Sequence, residues 1–472
     1  MKHWILAGLV AATTLAGCGS DSATPAPKNV IFFLGDGMGI TTLTASRIYS
    51  VGEDGDLTID TLPETAFVRT YSNNAQVTDS APSMAAYMTG VKMNNEVISM
   101  TPDTMAFDAS GKDYLNGANS TCPSWGNGSS VPTLLEIAKA AGMGTGAVTT
   151  TRITHATPAV TYSHICHRDA ENNIAAQAVP GGSGFNSALG DGVDVLLGGG
   201  RKFFLPTGVG GARTDSRDLT AEFKAKGYTY VKSKTEFNTV AATSTSKLVG
   251  LFNNSHMNYD LDRLEDSSID EPSLTDMTTK AIDILSKNPK GFFLMVEGGR
   301  IDHALHETTA KKALQDTVAF DTAIKTAIDK MKVIDPELKN TLIVVTADHD
   351  HTLVLNGYAA RTGKTTANEP GVLGLVKSFV NKALSGDINS LPYTIIGFGN
   401  GENRPATRTA LDDAMVSAKT YHQEATVPMP VGSETHGGAD VFLGAIGRGA
   451  ENFTGIITNT EVFGLIRKAS GL

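Results

Sequence analysis

Three separate stretches of this chain bring carboxylates and imidazoles together at short spacing. They lie at residues 297–306, 346–351 and 434–438, and their candidate ligands are Glu297, Asp302, His306, Asp348, His349 and His436. Carboxylates with imidazoles are typical ligands of zinc, and carboxylates with hydroxyls suit magnesium. A fourth stretch, residues 77–83, contains Ser80. A serine beside two closely spaced divalent cations is suited to displacement at phosphorus.

The spacing of the candidate ligands predicts how they could share an ion. Asp302 and His306 are four residues apart, so one helical turn would direct both side chains to the same ion. With the distant His436 they would supply three protein ligands and leave a position for substrate. The same spacing also occurs in ordinary pairs on helix surfaces. Adjacent strand residues point to opposite faces, so Asp348 and His349 can share an ion only in a turn after a strand.

An oxygen-rich set suits a harder cation. Asp36 has two carboxylate oxygens and could bridge two ions, and with Thr157 and Glu297 it offers an all-oxygen set suited to Mg²⁺. Each residue alone is weak evidence, because a lone polar residue near a strand is often a hydrogen-bonded core residue. The recurrence of such residues in separate motifs predicts metal binding.

Ser80 is the candidate nucleophile. It stands at the start of a predicted helix, where free backbone N–H groups favour an anion. The alternative is that Ser80 or Asp79 only caps this helix. A serine hydroxyl is barely ionised at neutral pH, but a divalent cation can deprotonate a group bound to it. Arg168 could hold two phosphate oxygens through its planar guanidinium, or could be an ordinary surface arginine.

An α/β sheet is expected to position these side chains. Apolar runs predict strands at 29–34, 144–150, 193–197, 291–297, 342–347, 393–398 and 441–445, and helices at 41–49, 80–89, 133–141, 274–287, 308–332 and 461–468. Their alternation predicts a layered α/β fold. Asp36, Glu297 and Asp348 each follow a predicted strand, and such sheets gather ligands at the carboxyl ends of their strands. Residues 172–273 and 353–431 look like insertions.

Composition excludes some classes of function. The chain has 472 residues, long enough for a large core, with 39 basic and 49 acidic residues and a formal net charge of −10. No block of lysine or arginine stands out, which argues against a nucleic-acid-binding surface or a surface for anionic membranes.

The N-terminus predicts export. Lys2 precedes a short apolar run over residues 4–12, and residues 15–18 resemble a bacterial lipoprotein cleavage box ending in Cys18. The resemblance implies a signal peptide of residues 1–17, a lipid on Cys18 and a tether over residues 18–28. The protein would then lie in the periplasm or at the cell surface, anchored to the outer membrane; ordinary secretion is the alternative. Cys122 and Cys166 could form a disulfide there or remain two buried thiols.

Together these motifs resemble the alkaline phosphatase family from about Asn29 to the C-terminus. The resemblance implies a three-layer α/β/α sandwich around a large, mostly parallel sheet, with an inserted crown-like region. It implies hydrolysis of phosphate monoesters through a phosphoserine at Ser80. Arg168 would be the phosphate-binding arginine, oriented by Asp79, and His155 would lie beside the substrate and the magnesium site.

The same resemblance implies two Zn²⁺ ions and one Mg²⁺ ion. Their ligands would be Asp302, His306 and His436 for one zinc, Asp36, Asp348 and His349 for the other, and Asp36, Thr157 and Glu297 for magnesium. Members of the family are commonly homodimers, so we expect a homodimer, with residues 353–431 as a candidate contact region.

Four residues depart from the usual pattern of the family. Pro82 and Met84 replace smaller residues behind the nucleophile, and His155 and His303 stand where some members have Asp and Lys. Ser80 with Pro82 also mimics a sulfatase signature, but Met84 occupies the place of its arginine. A phosphodiesterase of the same fold is a further alternative. A lipoprotein that binds metal or phosphate without turnover is another, although both a nucleophile and an arginine are present.

Overall fold

The computed structural model describes residues 28–472, so the predicted signal peptide, Cys18 and the tether up to residue 27 lie outside the described residues. The strands are β1 (Lys28–Gly35), β2 (Glu64–Arg69), β3 (Leu115–Asn116), β4 (Asn119–Ser120), β5 (Gly144–Arg152), β6 (Val195–Gly199), β7 (Thr229–Val231), β8 (Leu248–Leu251), β9 (Gly291–Gly298), β10 (Thr341–Ala347), β11 (Asp350–His351), β12 (Leu353–Leu355), β13 (Ile396–Gly401), β14 (Ala425–Pro428), β15 (His436–Gly437), β16 (Val441–Gly447) and β17 (Gly455–Thr458). The α-helices are α1 (Ile40–Val51), α2 (Ser80–Thr89), α3 (Leu134–Ala140), α4 (Ala156–Tyr162), α5 (Glu171–Gln177), α6 (Leu219–Ala225), α7 (Lys234–Asn238), α8 (Asp260–Glu265), α9 (Leu274–Leu285), α10 (Arg300–His306), α11 (Ala310–Ile334), α12 (Asp413–Val416) and α13 (Asn459–Ser470).

A ten-stranded sheet forms the centre of the molecule. Its strand order is β17-β2-β16-β10-β1-β9-β5-β6-β8-β7. Strand β16 runs antiparallel to both neighbours, β10 and β2, and the remaining neighbouring pairs are parallel. The carboxyl ends of β10, β1 and β9 are therefore adjacent at one edge, which is the edge that the sequence predicts to hold the ligands.

The central strands are buried on both faces. Every residue of β9 and β10 is buried, as is all of β1 after its first residue. Continuous apolar runs of this kind are typical of parallel strands covered by helices on both sides. The sequence prediction of these three strands is confirmed within one residue at each end.

Helices surround the sheet. Helices α1, α8, α9 and α11 pack together, and α2, α3, α4 and α13 form a second group. In the first group Phe320 of α11 meets Phe33 of β1, with ring centroids 5.8 Å apart. In the second group all ten residues of α2 are buried, with Pro82 in the first turn, where a missing N–H is tolerated. The expected α/β fold with helices around a large, mostly parallel sheet is confirmed.

Two ranges that look like insertions in the sequence differ from each other in the structure. Within residues 172–273, the strands β6, β8 and β7 extend the central sheet at one edge. Within residues 353–431, the strands β12, β13 and β14 form a separate three-stranded sheet. The strand expected at 393–398 lies at Ile396–Gly401 and belongs to this small sheet. Short apolar runs are equally compatible with either sheet, which is why the sequence does not assign them.

Cys122 and Cys166 form a disulfide, with their Cα atoms 6.0 Å apart. This geometry is ordinary for a disulfide and resolves the alternative between a disulfide and two thiols. Among residues 28–472, no helix combines the length and the apolar character needed to cross a membrane.

Candidate active site

Three buried carboxylates meet where the central strands end. Asp36 follows β1, Glu297 is near the end of β9, and Asp348 follows β10; each is fully buried. Asp36 Oδ2, Glu297 Oε1 and Asp348 Oδ2 have no hydrogen-bond partner. Buried polar atoms are nearly always paired, so three unpaired carboxylate oxygens at one edge point to an electropositive partner.

Burial raises the pKa of these carboxylates. The pKa values of Asp36 and Asp348 lie well above the ordinary value, chiefly because of burial and then because neighbouring carboxylates repel the charge. Burial also raises the pKa of Glu297, to about 7, although hydrogen bonds from Thr149 and Thr151 oppose this. The chain alone therefore places strongly repelling charges at this edge, and divalent cations would neutralise them.

Ser80 lies beside these carboxylates. It is the first residue of α2, and its Oγ is 3.4 Å from Asp36 Oδ1 and 3.4 Å from His349 Nε2. Asp79, not Ser80, caps the helix: the Asp79 carboxylate accepts a hydrogen bond of 2.7 Å from the backbone N–H of Ala81. The hydroxyl of Ser80 is therefore not required as a cap and faces the cluster of candidate ligands.

Arg168 lies next to the nucleophile. Its Nη1 donates to Asp79 Oδ1 at 3.0 Å, and its Nη2 is 3.0 Å from His155 Nε2. Burial alone would lower the pKa of Arg168, but Asp79 and Glu96 hold that pKa above its ordinary value. Burial, followed by the charge of Arg168, lowers the pKa of His155, so His155 faces the guanidinium as a neutral ring. The arginine is thus charged, and oriented by two neighbours.

Asp302, His306 and His436 converge as the sequence predicts. Asp302 and His306 both lie on α10, and His306 Nε2 is 3.2 Å from Asp302 Oδ1. His436 Nε2 lies 3.2 Å from His306 Nε2 and 3.5 Å from Asp302 Oδ1. Two ring nitrogens and one carboxylate oxygen at these separations could hold one divalent cation.

A second group surrounds the nucleophile. His349 Nε2 is 3.4 Å from Asp36 Oδ1 and 3.4 Å from Asp348 Oδ2. Asp348 and His349 lie between β10 and β11, in the turn that would let adjacent residues share an ion. The rings of His349 and His436 stack with centroids 3.5 Å apart, so the two groups are in direct contact.

A third group contains Asp36, Glu297 and His155, whose ligand atoms lie within 4.8 Å of one another. Thr157 is in the first turn of α4, and its buried Oγ1 has no hydrogen-bond partner. His155 Nδ1 is likewise buried and unpaired. The donor set and its unpaired oxygens fit a hard cation, and the imidazole adds a nitrogen donor that the predicted all-oxygen set does not contain.

Sequence reasoning missed two residues that support the first group. His351 Nε2 is 2.8 Å from Asp302 Oδ1, and His351 Nδ1 is 2.5 Å from Glu434 Oε2. Burial would lower the pKa of His351, but Glu434 and Asp302 raise it to about 10. Glu434 also accepts hydrogen bonds from Thr352. Both residues lie inside the ligand-rich stretches of the sequence, but only the fold brings them into contact across 83 positions.

Known proteins are similar to this chain in sequence. The family model "Alkaline phosphatase" matches residues 27–472. The alkaline phosphatase of the cod Gadus morhua is 36% identical over 460 residues, covering 91% of this chain and 88% of the relative. The human tissue-nonspecific isozyme is 36% identical, covering 89% of this chain and 79% of the relative.

Solved structures of alkaline phosphatases have a fold similar to that of this chain. The alkaline phosphatase of the Antarctic bacterium TAB5 superposes with a TM-score of 0.63 at 25% identity, covering 94% of this chain and 99% of that one. A variant of the TAB5 enzyme was solved with magnesium bound. The alkaline phosphatase of Thermus thermophilus, at 24% identity and a TM-score of 0.66, shares the fold, covering 95% of this chain and 92% of that one. By its sequence along nearly its whole length, and by its fold, this chain belongs to the alkaline phosphatase family.

Proposed function

We propose that the protein hydrolyses phosphate monoesters through a covalent phosphoserine at Ser80, at a site that holds two Zn²⁺ ions and one Mg²⁺ ion. Membership of the alkaline phosphatase family supports the reaction. The observation that carries the proposal is the position of Ser80 Oγ, 3.4 Å from both Asp36 Oδ1 and His349 Nε2. A hydroxyl this close to two candidate ligands would be bound together with them.

The residues of the chain would act in two steps. Ser80 Oγ loses its proton and attacks phosphorus, and the bond from phosphorus to the ester oxygen breaks. The alcohol leaves with the electron pair and takes up a proton, which balances the one lost by Ser80. Water then attacks the phosphoserine, which releases inorganic phosphate and restores the hydroxyl of Ser80. Arg168, fixed by Asp79 and His155, would hold two of the phosphate oxygens through both steps.

In this proposal each cation would have its own set of donor groups. Asp302, His306 and His436 would hold one zinc, Asp36, Asp348 and His349 the other, and Asp36, Thr157 and Glu297, with His155 beside them, the magnesium. When bound, these cations would lower the pKa of the serine hydroxyl and neutralise charge on the leaving oxygen.

Turnover of three model esters separates this proposal from its rivals. We expect p-nitrophenyl phosphate to be hydrolysed far faster than bis-p-nitrophenyl phosphate or p-nitrophenyl sulfate. Met84 supports this expectation, because a sulfatase signature requires arginine at that position. Faster turnover of the diester or of the sulfate would overturn the assignment to monoesters.

A substitution at Ser80 tests the covalent step. Ser80→Ala should lose hydrolysis and the phosphorylated enzyme, whereas Ser46→Ala is a matched control. Ser46 is also a buried helix serine, and its hydroxyl has no hydrogen-bond partner. If the Ser80→Ala enzyme, loaded with metal, still hydrolyses the monoester at the rate of the Ser46→Ala enzyme, the proposed nucleophile is wrong.

The cellular location and the assembly are part of the same proposal. We expect the chain to be anchored to the outer membrane through a lipid on Cys18, so Cys18→Ser should release activity from the membrane fraction.

We also expect a homodimer. Residues 353–431 carry large exposed apolar side chains, among them Tyr358 and Ile388, which are 86% and 98% exposed, and contact with a second copy of the chain would cover them. Light scattering of Ile388→Asp, compared with the unaltered chain, tests this contact; equal dimer stability would rule it out.

A further inference from the structure

Glu96 has an unusual backbone conformation directly beside the phosphate-binding arginine. It lies in the loop after α2, and its φ is +73°, a region that residues other than glycine seldom occupy. Ser99, three residues further along the loop, has a φ of +49°. Strained residues of this kind persist where the surrounding structure fixes them, and they cluster at functional sites.

The peptide of Glu96 joins the two parts of the phosphate site. Its N–H donates to Asp79 Oδ2, and its carbonyl accepts a hydrogen bond of 2.8 Å from the backbone N–H of Arg168. Asp79 Oδ1 in turn accepts from Arg168 Nη1 at 3.0 Å. The main chain of Glu96 therefore fixes both the arginine and the carboxylate that orients its side chain.

Both sides of this connection are anchored. Ile98 and Ile165 exchange two backbone hydrogen bonds of 3.0 Å, which tie the loop to the segment before Arg168. The disulfide at Cys166 holds the same segment two residues before the arginine. The backbone of Glu96 is thus held in place by contacts on either side of it.

The side chain of Glu96 adds a negative charge next to Arg168. Arg168, Asp79 and Asp169 are the charged groups that act on its carboxylate, and ligand atoms of Glu96, His167 and Asp169 lie within 4.8 Å of one another. Burial raises the pKa of Glu96 to about 7, while Arg168 opposes the rise. In alkaline solution Glu96 is therefore ionised, and its charge opposes that of a phosphate dianion bound to Arg168.

We propose that Glu96 is a positioning residue that sets the affinity of the phosphate site: its peptide holds Asp79 and Arg168 together, and its carboxylate weakens the binding of inorganic phosphate and so favours product release. This inference rests on the proposed function. The residue acts through Arg168 and does not touch the substrate.

Four variants of the metal-loaded enzyme test the two roles. Glu96→Gln removes the charge and keeps the size of the side chain. Glu96→Gly also removes the charge, and glycine accepts a φ of +73°. Glu96→Val removes the charge too, but its β-branched side chain resists this φ. The exposed Glu369, changed to Gln, is the control for the loss of one negative charge.

The measurement is the inhibition constant of inorganic phosphate at pH 9 against p-nitrophenyl phosphate. Isothermal titration of phosphate into each variant combined with Ser80→Ala gives the affinity without turnover. We expect Glu96→Gln and Glu96→Gly to bind phosphate about three to ten times more tightly than the unaltered chain, as for one charge removed at short range. Glu96→Val should bind more weakly than Glu96→Gly, and Glu369→Gln should be unchanged.

Unchanged or weaker phosphate binding in both Glu96→Gln and Glu96→Gly would overturn the proposal. Equal binding by Glu96→Val and Glu96→Gly would overturn the role of the peptide. If the unaltered enzyme hydrolyses none of the three model esters, the proposed function fails instead; if it hydrolyses the monoester and phosphate affinity does not respond to Glu96, only this inference fails.

Discussion

Without bound metal ions, the Glu297 carboxyl group should lower the stability of this protein as pH rises. In the metal-free chain burial raises the pKa of Glu297 from 4.5 to about 7. Between these two values Glu297 binds more protons in the folded state than in the unfolded state, so its contribution to the free energy of unfolding decreases with increasing pH. Asp36 and Asp348, whose pKa values also lie well above the ordinary value, act in the same direction. Asp302 has a lowered pKa and acts only below about pH 4. Buried histidines with lowered pKa values, such as His155 and His349, act in the opposite direction to Glu297 below about pH 6.5.

The size of the effect follows from the Glu297 carboxyl group. A rise in its pKa from 4.5 to about 7 on folding corresponds to about 3 kcal/mol of unfolding free energy from this residue alone. That is a large part of the roughly 5–15 kcal/mol that typically stabilises a folded protein. Bound divalent cations favour the ionised carboxylates. The loss of stability with rising pH that Glu297 causes should therefore disappear, or reverse, in the metal-loaded enzyme.

Urea denaturation at pH 5, 6, 7 and 8 measures how stability depends on pH, once with a chelator and once with excess zinc and magnesium. We expect the unfolding midpoint of the metal-free chain, measured relative to that of metal-free Glu297→Gln, to fall from pH 5 to pH 8. The comparison cancels the buried histidines, among them His155 and His349, whose lowered pKa values make stability rise with pH below about 6.5. With excess zinc and magnesium, the unaltered chain should not lose stability relative to this variant. A metal-free difference that stays constant or rises with pH would refute the reasoning.

Three further changes have definite expected outcomes. Replacing both disulfide cysteines, 44 positions apart, with serine should lower the free energy of unfolding by about 4 kcal/mol from loop entropy, and an unchanged urea midpoint would contradict this. Gly37→Ala would place a Cβ 2.5 Å from the His351 ring at a residue with a φ of +67°, so the variant should retain less zinc after dialysis. Gly455→Ala, which also has a positive φ of +81° but open space around it, is the control. Equal zinc retention by the two variants would count against the account. Arg168→Lys keeps the charge but loses the bidentate contact with phosphate, so the phosphate affinity measured by calorimetry should fall about tenfold or more. An unchanged affinity would argue against a bidentate contact.

The sequence predicts the centre of the molecule well because burial there leaves a clear pattern. The apolar runs that become β1, β9 and β10 are long, and each ends at an acidic residue. Helix α2 begins at Ser80 as expected, since Asp79 and Pro82 both favour a helix start. The i, i+4 pair Asp302 and His306 lies on α10 as its spacing predicts.

The periphery is harder to predict because its elements are short. An apolar run predicts the strand at 193–197 that corresponds to β6, but β7 and β8 have three and four residues, too few for a periodic pattern. The sequence therefore presents 172–273 as an insertion, although all three strands extend the central sheet. Long-range contacts are harder still. The contact between His351 and Glu434 joins positions 83 residues apart, and nothing in their local sequence specifies it. Glu96 carries no motif at all; only its backbone conformation and its contact with Arg168 identify it.

The central claim is that Ser80 accepts the phosphoryl group, and trapping that group on the enzyme tests it most directly. The metal-loaded protein is mixed with a phosphate monoester, quenched in acid within one turnover, digested, and analysed by mass spectrometry. The account predicts a phosphoryl group on the peptide that contains Ser80, and none in the Ser80→Ala enzyme. A phosphoryl group on another residue, or continued hydrolysis with no phosphorylated peptide at any quench time, would contradict it.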